Sequence, residues 1–441
     1  MSAPVTQQPA QGPGITTEHK RVLAGSMVGT TIEWFDFFIY AQAAGLIFAT
    51  QYFDPVSNES ASLAQIIAWA SLGISFLFRP LGAILAGHLG DRLGRKPVLV
   101  VTLVGMGLAT MLMGVLPTYA SIGMAAPILL VVLRILQGLS AGGEWGGAAM
   151  LAVEHAPHGK RGLFGAFPQV GVPLGMFLAT IFMLVLSAVL TPEQFLAWGW
   201  RIPFLSSVVL ILLGYLIRRA VEESPAFAEM EELKEKSTAP LAVLFKGHLG
   251  TVIKCAVIFA ANNAIGYFVI AYFTAYGTKV VGYTRPQALG VALIASIGWF
   301  IGTLYFGHLS DRVGRRTTFI GGYIVLALYI TPVFWAVDSG NVMFFGAAVF
   351  LLGVILGATY GPQSAMYAEM FPVRVRLSGV SIGYAFGSII GGAFAPMIAE
   401  MLYTRYETSM AIAVYGIAIS VVSLIGVLTV PKGIQDRDLH V

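Results

Sequence analysis

Long apolar runs alternate with short polar segments along most of the chain. Twelve of these runs are long enough to cross a lipid bilayer as helices, which takes about 20 apolar residues. A helix satisfies its own backbone hydrogen bonds, so it is the expected conformation of such a run in lipid. The pattern predicts an all-α membrane protein with twelve transmembrane helices, at residues 22–49, 64–86, 98–117, 124–150, 162–190, 202–218, 250–276, 286–306, 317–337, 342–366, 377–402 and 409–430.

Two sequence repeats divide the twelve runs into two sets of six. Residues 87–96 (GHLGDRLGRK) recur as residues 307–316 (GHLSDRVGRR), 220 positions later. A second repeat, 215 positions apart, pairs Glu154, Pro157 and Arg161 with Glu369, Pro372 and Arg376. Repeats spaced by about half the chain indicate a duplicated six-helix unit, and therefore two pseudo-symmetric halves. We predict a disordered cytoplasmic tail at 1–21, an N-terminal six-helix half at 22–218, a cytoplasmic linker at 219–249, a C-terminal six-helix half at 250–430 and a cytoplasmic tail at 431–441.

Composition agrees with a membrane protein and restricts the other possibilities. The 441 residues are 57% hydrophobic and 11% charged, whereas soluble domains carry about 25% charged residues. The single cysteine, Cys255, excludes an internal disulfide. The seven histidines fall in loops or at the ends of apolar runs, which argues against the nucleophile or metal constellation of an enzyme. We expect no enzymatic activity, no cofactor and no metal.

Lysine and arginine residues set the predicted orientation. With both termini in the cytoplasm, nineteen of them fall in cytoplasmic segments and four in outer loops, which are Arg201, Lys279, Arg285 and Arg405. Cytoplasmic loops of membrane proteins are enriched in these residues. We therefore expect a multi-pass protein of the cell inner (plasma) membrane with both termini cytoplasmic. The net charge of +4 reflects this asymmetry and does not indicate a nucleic-acid partner.

Five charged side chains lie well inside the apolar runs: Glu33, Asp36, Arg79, Arg134 and Glu144. An ionised side chain at that depth is costly unless it is paired, neutralised or hydrated. At about 1.5 Å per helical residue, all except Arg134 fall in one layer near mid-membrane. We predict a charged network in which Asp36, Glu33, Arg134 and Glu144 couple transport to protons. Purely structural roles for the two acids of the first run and for Arg134 are the alternatives.

Arg79 and a set of uncharged polar side chains are the candidate contacts to a substrate. Arg79 suits a carboxylate because its guanidinium fork can donate two parallel hydrogen bonds; permanent neutralisation of Asp36 is its alternative role. Amides and phenols suit hydroxyl groups, although in membrane helices they also join neighbouring helices. The candidate substrate-binding residues are Arg79, Glu33, Tyr40, Gln137, Trp145, Gln169, Asn262, Asn263, Tyr267, Tyr272, Tyr360 and Gln363.

The repeated loop motif is a candidate cytoplasmic gate. Small residues let helix ends approach closely, and an aspartate can pair with arginine or cap the N-terminus of a neighbouring helix. Positive charge that only fixes topology is the alternative, but it does not account for the aspartates and glycines. The predicted gate residues are Gly87, Asp91, Arg92, Arg95, Gly307, Asp311, Arg312 and Arg315, with Glu154, Arg161, Glu369 and Arg376.

The repeated motif on twelve predicted spans resembles the major facilitator superfamily. Further motifs narrow the resemblance to its metabolite:proton symporter family, over about residues 20–430: EWFDF at 33–37, FRPLG at 78–82, RILQG at 134–138, GGEWGG at 142–147, WGWRIPF at 198–204 and EESPAF at 222–227. The resemblance implies symport of a small metabolite, such as shikimate, 2-oxoglutarate, citrate, proline or betaine, with protons. Residues 190–200 look most like the shikimate branch, in which aspartate stands where this chain has Glu33.

These observations lead us to expect a proton-coupled symporter that imports a small organic acid by alternating access and functions as a monomer. Asp36 is the expected titrating group, and Glu33 is the neighbour that tunes substrate or proton affinity. An exporter of the same fold, including a multidrug antiporter, and a zwitterion symporter for proline or betaine are the alternatives. The expected partners are the substrate, protons and the lipid bilayer.

Overall fold

The described part of the chain is built from helices joined by short turns, with no strand among the described residues. The computed structural model describes residues 17–54, 61–93, 95–142, 144–157, 159–220, 240–372 and 375–436. Predictions that rest on Gly87 and on the side chains of Asp91, Arg92, Arg95 and Glu144 fall outside the described residues. The same is true of residues 1–16, most of the linker and the last five residues.

We call the described residues 17–220 the N-half; its long helices follow the predicted spans. They are α1 (Thr17–Ala43, continuing as a π-helical segment over Ala44–Phe53), α2 (Ala61–Leu93), α3 (Arg95–Val115), α4 (Ala125–Ala141 and Glu144–Glu154), α5 (Arg161–Val189) and α6 (Arg201–Ala220). Two short helices, Tyr119–Ile122 and Pro192–Gln194, lie in the turns. Helix α1 begins at Thr17, within the segment 1–21 that is predicted as a tail. The helix extends beyond the apolar run into the polar residues that precede it.

We call the described residues 240–436 the C-half. A short helix, Pro240–Gly247, precedes its long helices. These are α7 (Leu249–Tyr267, continuing through π-helical and α-helical segments to Val281), α8 (Arg285–Val313), α9 (Arg315–Asp338), α10 (Val342–Tyr360 and Gln363–Met370), α11 (Arg376–Gly387, π-helical over Ser388–Ala393, then Ala395–Tyr406) and α12 (Ser409–Leu428).

Ten helical segments within the described residues are long and apolar enough to cross a membrane. The two remaining predicted spans correspond to α3 and α6. The prediction of an all-α membrane protein is therefore confirmed. We call the end of the bundle where α1 begins and α12 ends the terminal side, and the other end the opposite side.

Local sequence signals explain where α8 begins and how it is joined to α9 on the terminal side. Helix α8 starts with a capping box, in which Thr284 and Gln287 satisfy free backbone N–H groups reciprocally. It ends at Gly314, whose φ of +93° is a conformation that other residues rarely adopt. The sharp turn at Gly314 leads directly into α9, so the polar residues of the motif at 307–316 are held at one end of the bundle.

The N-half and the C-half meet along a central interface. Helix α5 packs along α8, and α2 contacts α11. Helix α1 contacts the π-helical continuation of α7, Phe268–Tyr272. Glycines permit the close approach of α5 and α8, since a Cβ on Gly307 would lie 2.6 Å from the Ala166 Cβ and 3.0 Å from the Gly162 carbonyl oxygen. Some of the polar side chains singled out by the sequence lie at this interface, among them Gln169, Asn263 and Asp311.

Candidate functional site

Glu33 of α1 and Arg79 of α2 form a buried ion pair. The Nη2 of Arg79 lies 3.8 Å from Oε1 of Glu33, and both side chains are at most 4% exposed. Gly142 lets α4 approach α2 at this point, because a Cβ there would lie 2.1 Å from the Arg79 carbonyl oxygen. Opposite charges buried together offset part of each other's desolvation cost.

Aromatic rings enclose the Arg79 guanidinium. Its Cζ lies 4.2 Å from the ring centre of Phe37, 4.6 Å from that of Phe76 and 5.2 Å from that of Trp34. The faces of such rings attract a cation. The Nε and Nη2 of Arg79 have no hydrogen-bond partner among the described residues. The guanidinium therefore retains donors that the oxygen atoms of a ligand can accept from.

Asp36 lies in a different environment from Glu33, although only three residues separate them. Its Oδ1 accepts a hydrogen bond from Ser207 Oγ of α6 at 2.7 Å, and its Oδ2 lies 3.3 Å from Thr110 Oγ1 of α3. The carboxylate is 2% exposed, and no ion pair to it is found within the described part of the chain. Asp36 is thus hydrogen-bonded by hydroxyl groups inside the N-half, whereas Glu33 is paired with the Arg79 guanidinium.

A line of hydrogen bonds connects Asp36 with Arg134 of α4. Thr110 Oγ1 accepts from Gln137 Nε2 at 2.9 Å, and Gln137 Oε1 accepts from Arg134 Nη1. Arg134 also donates to the Leu72 carbonyl oxygen at 2.9 Å. The Thr110 hydroxyl has a second acceptor, the Met106 carbonyl oxygen, at 3.0 Å. Since a hydroxyl carries one proton, Thr110 can donate to only one of its two acceptors at a time.

Tyr40 also belongs to this network within the N-half. Its ring centre lies 3.8 Å from Cζ of Arg134, and its hydroxyl hydrogen-bonds Ser71 at 2.7 Å. Tyr40 and Gln137 were candidate substrate contacts, but in this structure they contact Arg134. No sequence signal distinguishes Thr110 or Ser207, because isolated hydroxyl residues are common in membrane helices as interhelical contacts.

A small cavity lies between the halves, next to Trp34, which also contacts Arg79. It measures about 20 Å³, which is space for about one water molecule. The N-half contributes Trp34 and Val172, and the C-half contributes most of the wall: Phe259, Asn262, Asn263, Gly266, Tyr267, Ile270, Trp299, Tyr360 and Tyr384. Phe76 lies between the Glu33–Arg79 pair and the cavity. Its ring contacts the Arg79 guanidinium, and its ring centre lies 5.5 Å from that of Tyr267.

The two asparagines of the cavity wall differ in how their side chains are bonded. Asn262 donates to the Leu356 carbonyl oxygen at 3.0 Å and to Thr359 Oγ1 at 2.8 Å, so it joins α7 to α10. Asn263 Nδ2 lies 3.3 Å from Ser388 Oγ, while its Oδ1 has no partner within the described residues. The Tyr267 hydroxyl is also unpartnered there. Buried polar atoms are nearly always hydrogen-bonded, so these two atoms are candidate ligand contacts.

Trp145, Gln169 and Gln363 form a cluster that crosses the interface between the halves. Gln169 Nε2 lies 3.2 Å from both Gln363 Oε1 and the Tyr360 carbonyl oxygen, and its Oε1 accepts from Trp145 Nε1 at 3.0 Å. The Trp145 ring stacks on Tyr384 with centres 3.6 Å apart. These candidate substrate contacts therefore bind one another and join α4 and α5 to α10 and α11.

Polar contacts also join the halves on the terminal side. Asp311 at the end of α8 accepts from the backbone N–H groups of Gly162 at 2.8 Å and Leu163 at 3.0 Å, in the first turn of α5. A carboxylate at this position complements the positive end of the helix dipole. Arg315 Nη1 lies 2.7 Å from Asp311, and its Nη2 lies 3.3 Å from Glu369.

The second repeat contributes another contact across the same side. Arg376 Nη1 of α11 lies 3.6 Å from Glu154 Oε1 of α4. The remaining predicted gate residues are less enclosed: Arg312 is exposed and Arg161 is half-buried. The C-half copy of the motif therefore forms a bonded cluster with α5, and the Glu154–Arg376 pair lies between the halves.

A separate cluster closes the interface on the opposite side. Lys279, in the extension of α7, donates to Gln65 Oε1 of α2. One turn further along α2, the Trp69 ring lies 6.5 Å from that of Tyr272. Tyr272, a candidate substrate contact, therefore lies in this cluster and outside the cavity wall. In the sequence, Lys279 contributes only to the predicted orientation. No motif marks Gln65 or Trp69, so neither could be recognised as a contact between the halves.

The described residues contain no group of three or more His, Cys, Asp or Glu side chains that could hold a metal ion. The ionisable side chains of the central layer are carboxylates, guanidinium groups and phenols. Their arrangement can bind an anion, exchange protons and form hydrogen bonds.

Comparison with known proteins gives a consistent result. The family model described as Major Facilitator Superfamily matches residues 26–396 and 300–436. The inner membrane metabolite transport protein YhjE of Escherichia coli is 39% identical over 416 residues, covering 92% of this chain and 93% of that protein. The shikimate transporter of Escherichia coli is 37% identical, with 94% and 95% covered. The proline/betaine transporter of Salmonella typhimurium is 31% identical, with 92% and 82% covered.

Solved structures with a similar fold include a D-xylose–proton symporter. That structure matches with a TM-score of 0.74 and 18% sequence identity, covering 94% of this chain and 98% of the other. A partially occluded, inward-open structure of the Escherichia coli xylose transporter XylE matches with a TM-score of 0.75 and 17% identity, with 95% and 99% covered. At this identity the likeness concerns the fold alone.

Proposed function

Because this chain belongs to the Major Facilitator Superfamily, we propose that it is a proton-coupled symporter that imports a small organic acid by alternating access. Membership makes it a multi-pass membrane transporter and not an enzyme. The direction, the coupling ion and the substrate are the parts that we propose. The separation of Asp36 from the Glu33–Arg79 pair is the observation that supports proton coupling.

Asp36 is the proposed proton site. An ionised carboxylate buried without a cation is costly, and a proton removes that cost. The hydroxyls of Ser207 and Thr110 can stabilise the ionised form while it exists, so both protonation states are accommodated. Glu33, which has Arg79 beside it, is less dependent on a proton for compensation. The hydrogen bonds through Thr110 and Gln137 to Arg134 connect the protonation state of Asp36 to α4.

Arg79 is the proposed anchor for the substrate carboxylate. It retains unpartnered donors, and its planar fork matches a carboxylate. Asn263 Oδ1 and the Tyr267 hydroxyl are then the proposed partners of hydroxyl groups on the substrate body. The relative named as shikimate transporter supports this class of hydroxylated acid.

Coupling follows from charge. A substrate carboxylate brings a negative charge into the buried layer of Glu33, Asp36 and Arg79, where the dielectric is low and like charges repel strongly. A proton on Asp36 offsets that charge. Binding of the acid and of the proton therefore favour each other, which is the thermodynamic requirement for symport.

Alternating access requires that the contacts on one side of the cavity open while those on the other side stay closed. The Asp311 and Trp145 clusters are the proposed closure on the terminal side, and the Lys279–Gln65 contact is the proposed closure on the opposite side. We propose that the segments 22–218 and 250–430 move as two bodies joined by the linker at 219–249, with the terminal side in the cytoplasm.

Uptake into proteoliposomes tests the proposal. The probes are shikimate, 2-oxoglutarate, citrate, proline and betaine, each with an inward proton gradient and with a protonophore. We expect gradient-dependent accumulation of at least one acid. Asp36→Asn should abolish accumulation but retain exchange of labelled for unlabelled substrate. Asp436→Asn, at an exposed aspartate on the terminal side, is the matched control and should behave as wild type. Accumulation of none of the five probes, or loss of substrate driven by an inward gradient, would support an exporter.

Symport of a zwitterion is a second candidate, which the aromatic wall of the cavity favours. Trp34, Tyr267, Trp299 and Tyr384 surround a space next to a cation–carboxylate pair. Such rings can bind a quaternary ammonium group, and the proline/betaine transporter is 31% identical to this chain. Accumulation of betaine without accumulation of any acid would select this candidate.

A further inference from the structure

A lateral groove lies on the terminal side of the bundle and shares no lining residue with the central cavity. It measures about 280 Å³ and lies between the start of α7 and the end of α12. Its apolar walls include Ile253, Val422 and Ile425, which are 49% to 57% exposed. In a membrane-spanning bundle, such outward-facing apolar side chains lie against lipid. Gly250 also lines the groove, and a Cβ there would meet no atom within 4 Å, so the groove has room for a side chain at this position.

Lys254 lines the polar end of this groove, and Arg316 binds the backbone carbonyl next to the one that Lys254 binds. Lys254 Nζ donates to the Thr429 carbonyl oxygen at 3.2 Å, and Arg316 Nη2 donates to the neighbouring Leu428 carbonyl oxygen at 3.1 Å. These carbonyls end α12, so the helix dipole explains why cations are found there. Carbonyl groups do not neutralise a full charge, however. Among the described residues, no carboxylate forms an ion pair with Lys254 or Arg316.

The groove and the cations together have the dimensions of a lipid site. From Thr429 to Val422 the groove follows α12 toward the bilayer centre for about 10 Å, at about 1.5 Å per residue. A lipid with its phosphate at Lys254 and Arg316 would therefore place the upper part of an acyl chain along Val257 and Val422. Lysine and arginine near a membrane surface each contribute about 1 kcal/mol to the binding of anionic lipid.

We propose that the groove between α7 and α12 is a binding site for one anionic phospholipid. The headgroup phosphate contacts Lys254 and Arg316, and one acyl chain lies in the apolar groove. This site is independent of the proposed transport function, because none of its residues belongs to the central network. Both this groove and the central cavity include residues of α7, the helix that carries Asn263 and Tyr267.

Native mass spectrometry of the full chain, with phosphatidylglycerol and phosphatidylcholine added in equal amounts, tests the site. Wild-type protein should retain one phosphatidylglycerol in preference to phosphatidylcholine. Lys254→Gln and Arg316→Gln should each weaken its retention about fivefold, and the double variant about thirtyfold. Arg405→Gln, at an exposed arginine on the opposite side, is the charge-matched control and should change nothing.

Two further arms separate a lipid from a simple anion. Gly250→Leu adds side-chain volume to the groove without altering either cation, so it should reduce lipid retention while the protein remains folded. Excess inorganic phosphate should displace the lipid only weakly, because it lacks an acyl chain. Equal retention of the two lipids, or unchanged retention in the double variant, would overturn the proposal. So would full displacement by phosphate together with an unaffected Gly250→Leu variant, which would indicate an anion site only.

Discussion

The Nη2 of Arg79 lies 3.8 Å from the Oε1 of Glu33, which is within ion-pair range but beyond hydrogen-bond length. The two charges therefore attract each other without a directional bond that fixes their orientation. A second carboxylate can approach the guanidinium without first breaking a hydrogen bond to Glu33. The pair is consequently suited to a site that must release its ligand in every transport cycle.

Substitution of Arg79 tests its proposed role in carboxylate binding. Arg79→Lys retains the charge but loses the planar fork, so we expect substrate affinity to fall about tenfold or more, since a charge-assisted hydrogen bond is worth about 1.5–3 kcal/mol. Tryptophan fluorescence during titration with the transported acid measures this, because Trp34 lies 5.2 Å from Arg79. Arg405→Lys is the control. Unchanged affinity in Arg79→Lys would show that the substrate binds elsewhere.

Removal of the hydroxyls around Asp36 should change the pH dependence of uptake. Thr110→Val and Ser207→Ala each remove a donor that stabilises the ionised carboxylate, and proton release becomes less favourable. We expect the midpoint of the uptake–pH profile to move about one unit toward alkaline pH, the equivalent of about 1.4 kcal/mol. Thr110→Ser, which retains the hydroxyl, should restore the wild-type profile.

Matched controls for these two variants exist elsewhere in the bundle. Thr303 and Ser75 are buried, and their hydroxyls have no hydrogen-bond partner within the described residues. Thr303→Val and Ser75→Ala therefore remove the same groups without removing a bond. An identical midpoint in all four variants would mean that Asp36 does not set the pH dependence.

The stack of Trp145 on Tyr384 should determine how readily the terminal side opens. Trp145→Leu removes an aromatic pair worth about 0.5–1.5 kcal/mol, so opening should become about two- to tenfold more frequent. The rate of thiol labelling of Ser364→Cys, in a Cys255→Ser background, measures this opening, because Ser364 is fully buried in α10. Trp335→Leu, at an exposed tryptophan, should leave the rate unchanged. A slower or equal rate in Trp145→Leu would contradict the closure role.

A crosslink on the opposite side should stop transport. Gln65 and Lys279 contact each other across the halves, so Gln65→Cys with Lys279→Cys, in the Cys255→Ser background, can be joined by a short cleavable thiol crosslinker. We expect uptake to fall to the background level after crosslinking and to recover on cleavage. Each single-cysteine variant, treated identically, is the control. Full uptake by the crosslinked protein would show that this side does not open during transport.

The helical fold could be predicted from the sequence because the apolar runs are long and the backbone has no alternative in lipid. Four of the five charges predicted inside the apolar runs are buried: Glu33, Asp36, Arg79 and Arg134. A charged residue in an apolar run is conspicuous, whereas Arg315 and Glu369, which are also buried, lie at helix ends and could not be recognised in this way. The pairing of the four charges could not be predicted. Glu33 and Asp36 are about 60° apart around α1, at 100° per residue, and the rotation of α1 within the bundle decides which of them meets Arg79.

The polar residues of the interface illustrate the same limit. Trp145, Gln169 and Gln363 have the chemistry of substrate contacts, but their partners here are one another. Thr110 and Ser207 carry an ordinary hydroxyl, so only their position next to Asp36 distinguishes them. Side-chain type indicates what a residue can bind, whereas the packing of separate helices decides what it does bind.

The Thr110 hydroxyl can donate its single proton in two directions, so the buried network has two fully hydrogen-bonded arrangements. When Asp36 is ionised, Thr110 donates to it and accepts from Gln137. When Asp36 is protonated, its O–H group donates a hydrogen bond to the Thr110 oxygen. The Thr110 hydroxyl then donates to the Met106 carbonyl oxygen. Every polar group in the line stays satisfied in both arrangements. If Asp36 is the proton site, its protonation and deprotonation require only the rotation of one hydroxyl within this line of hydrogen bonds.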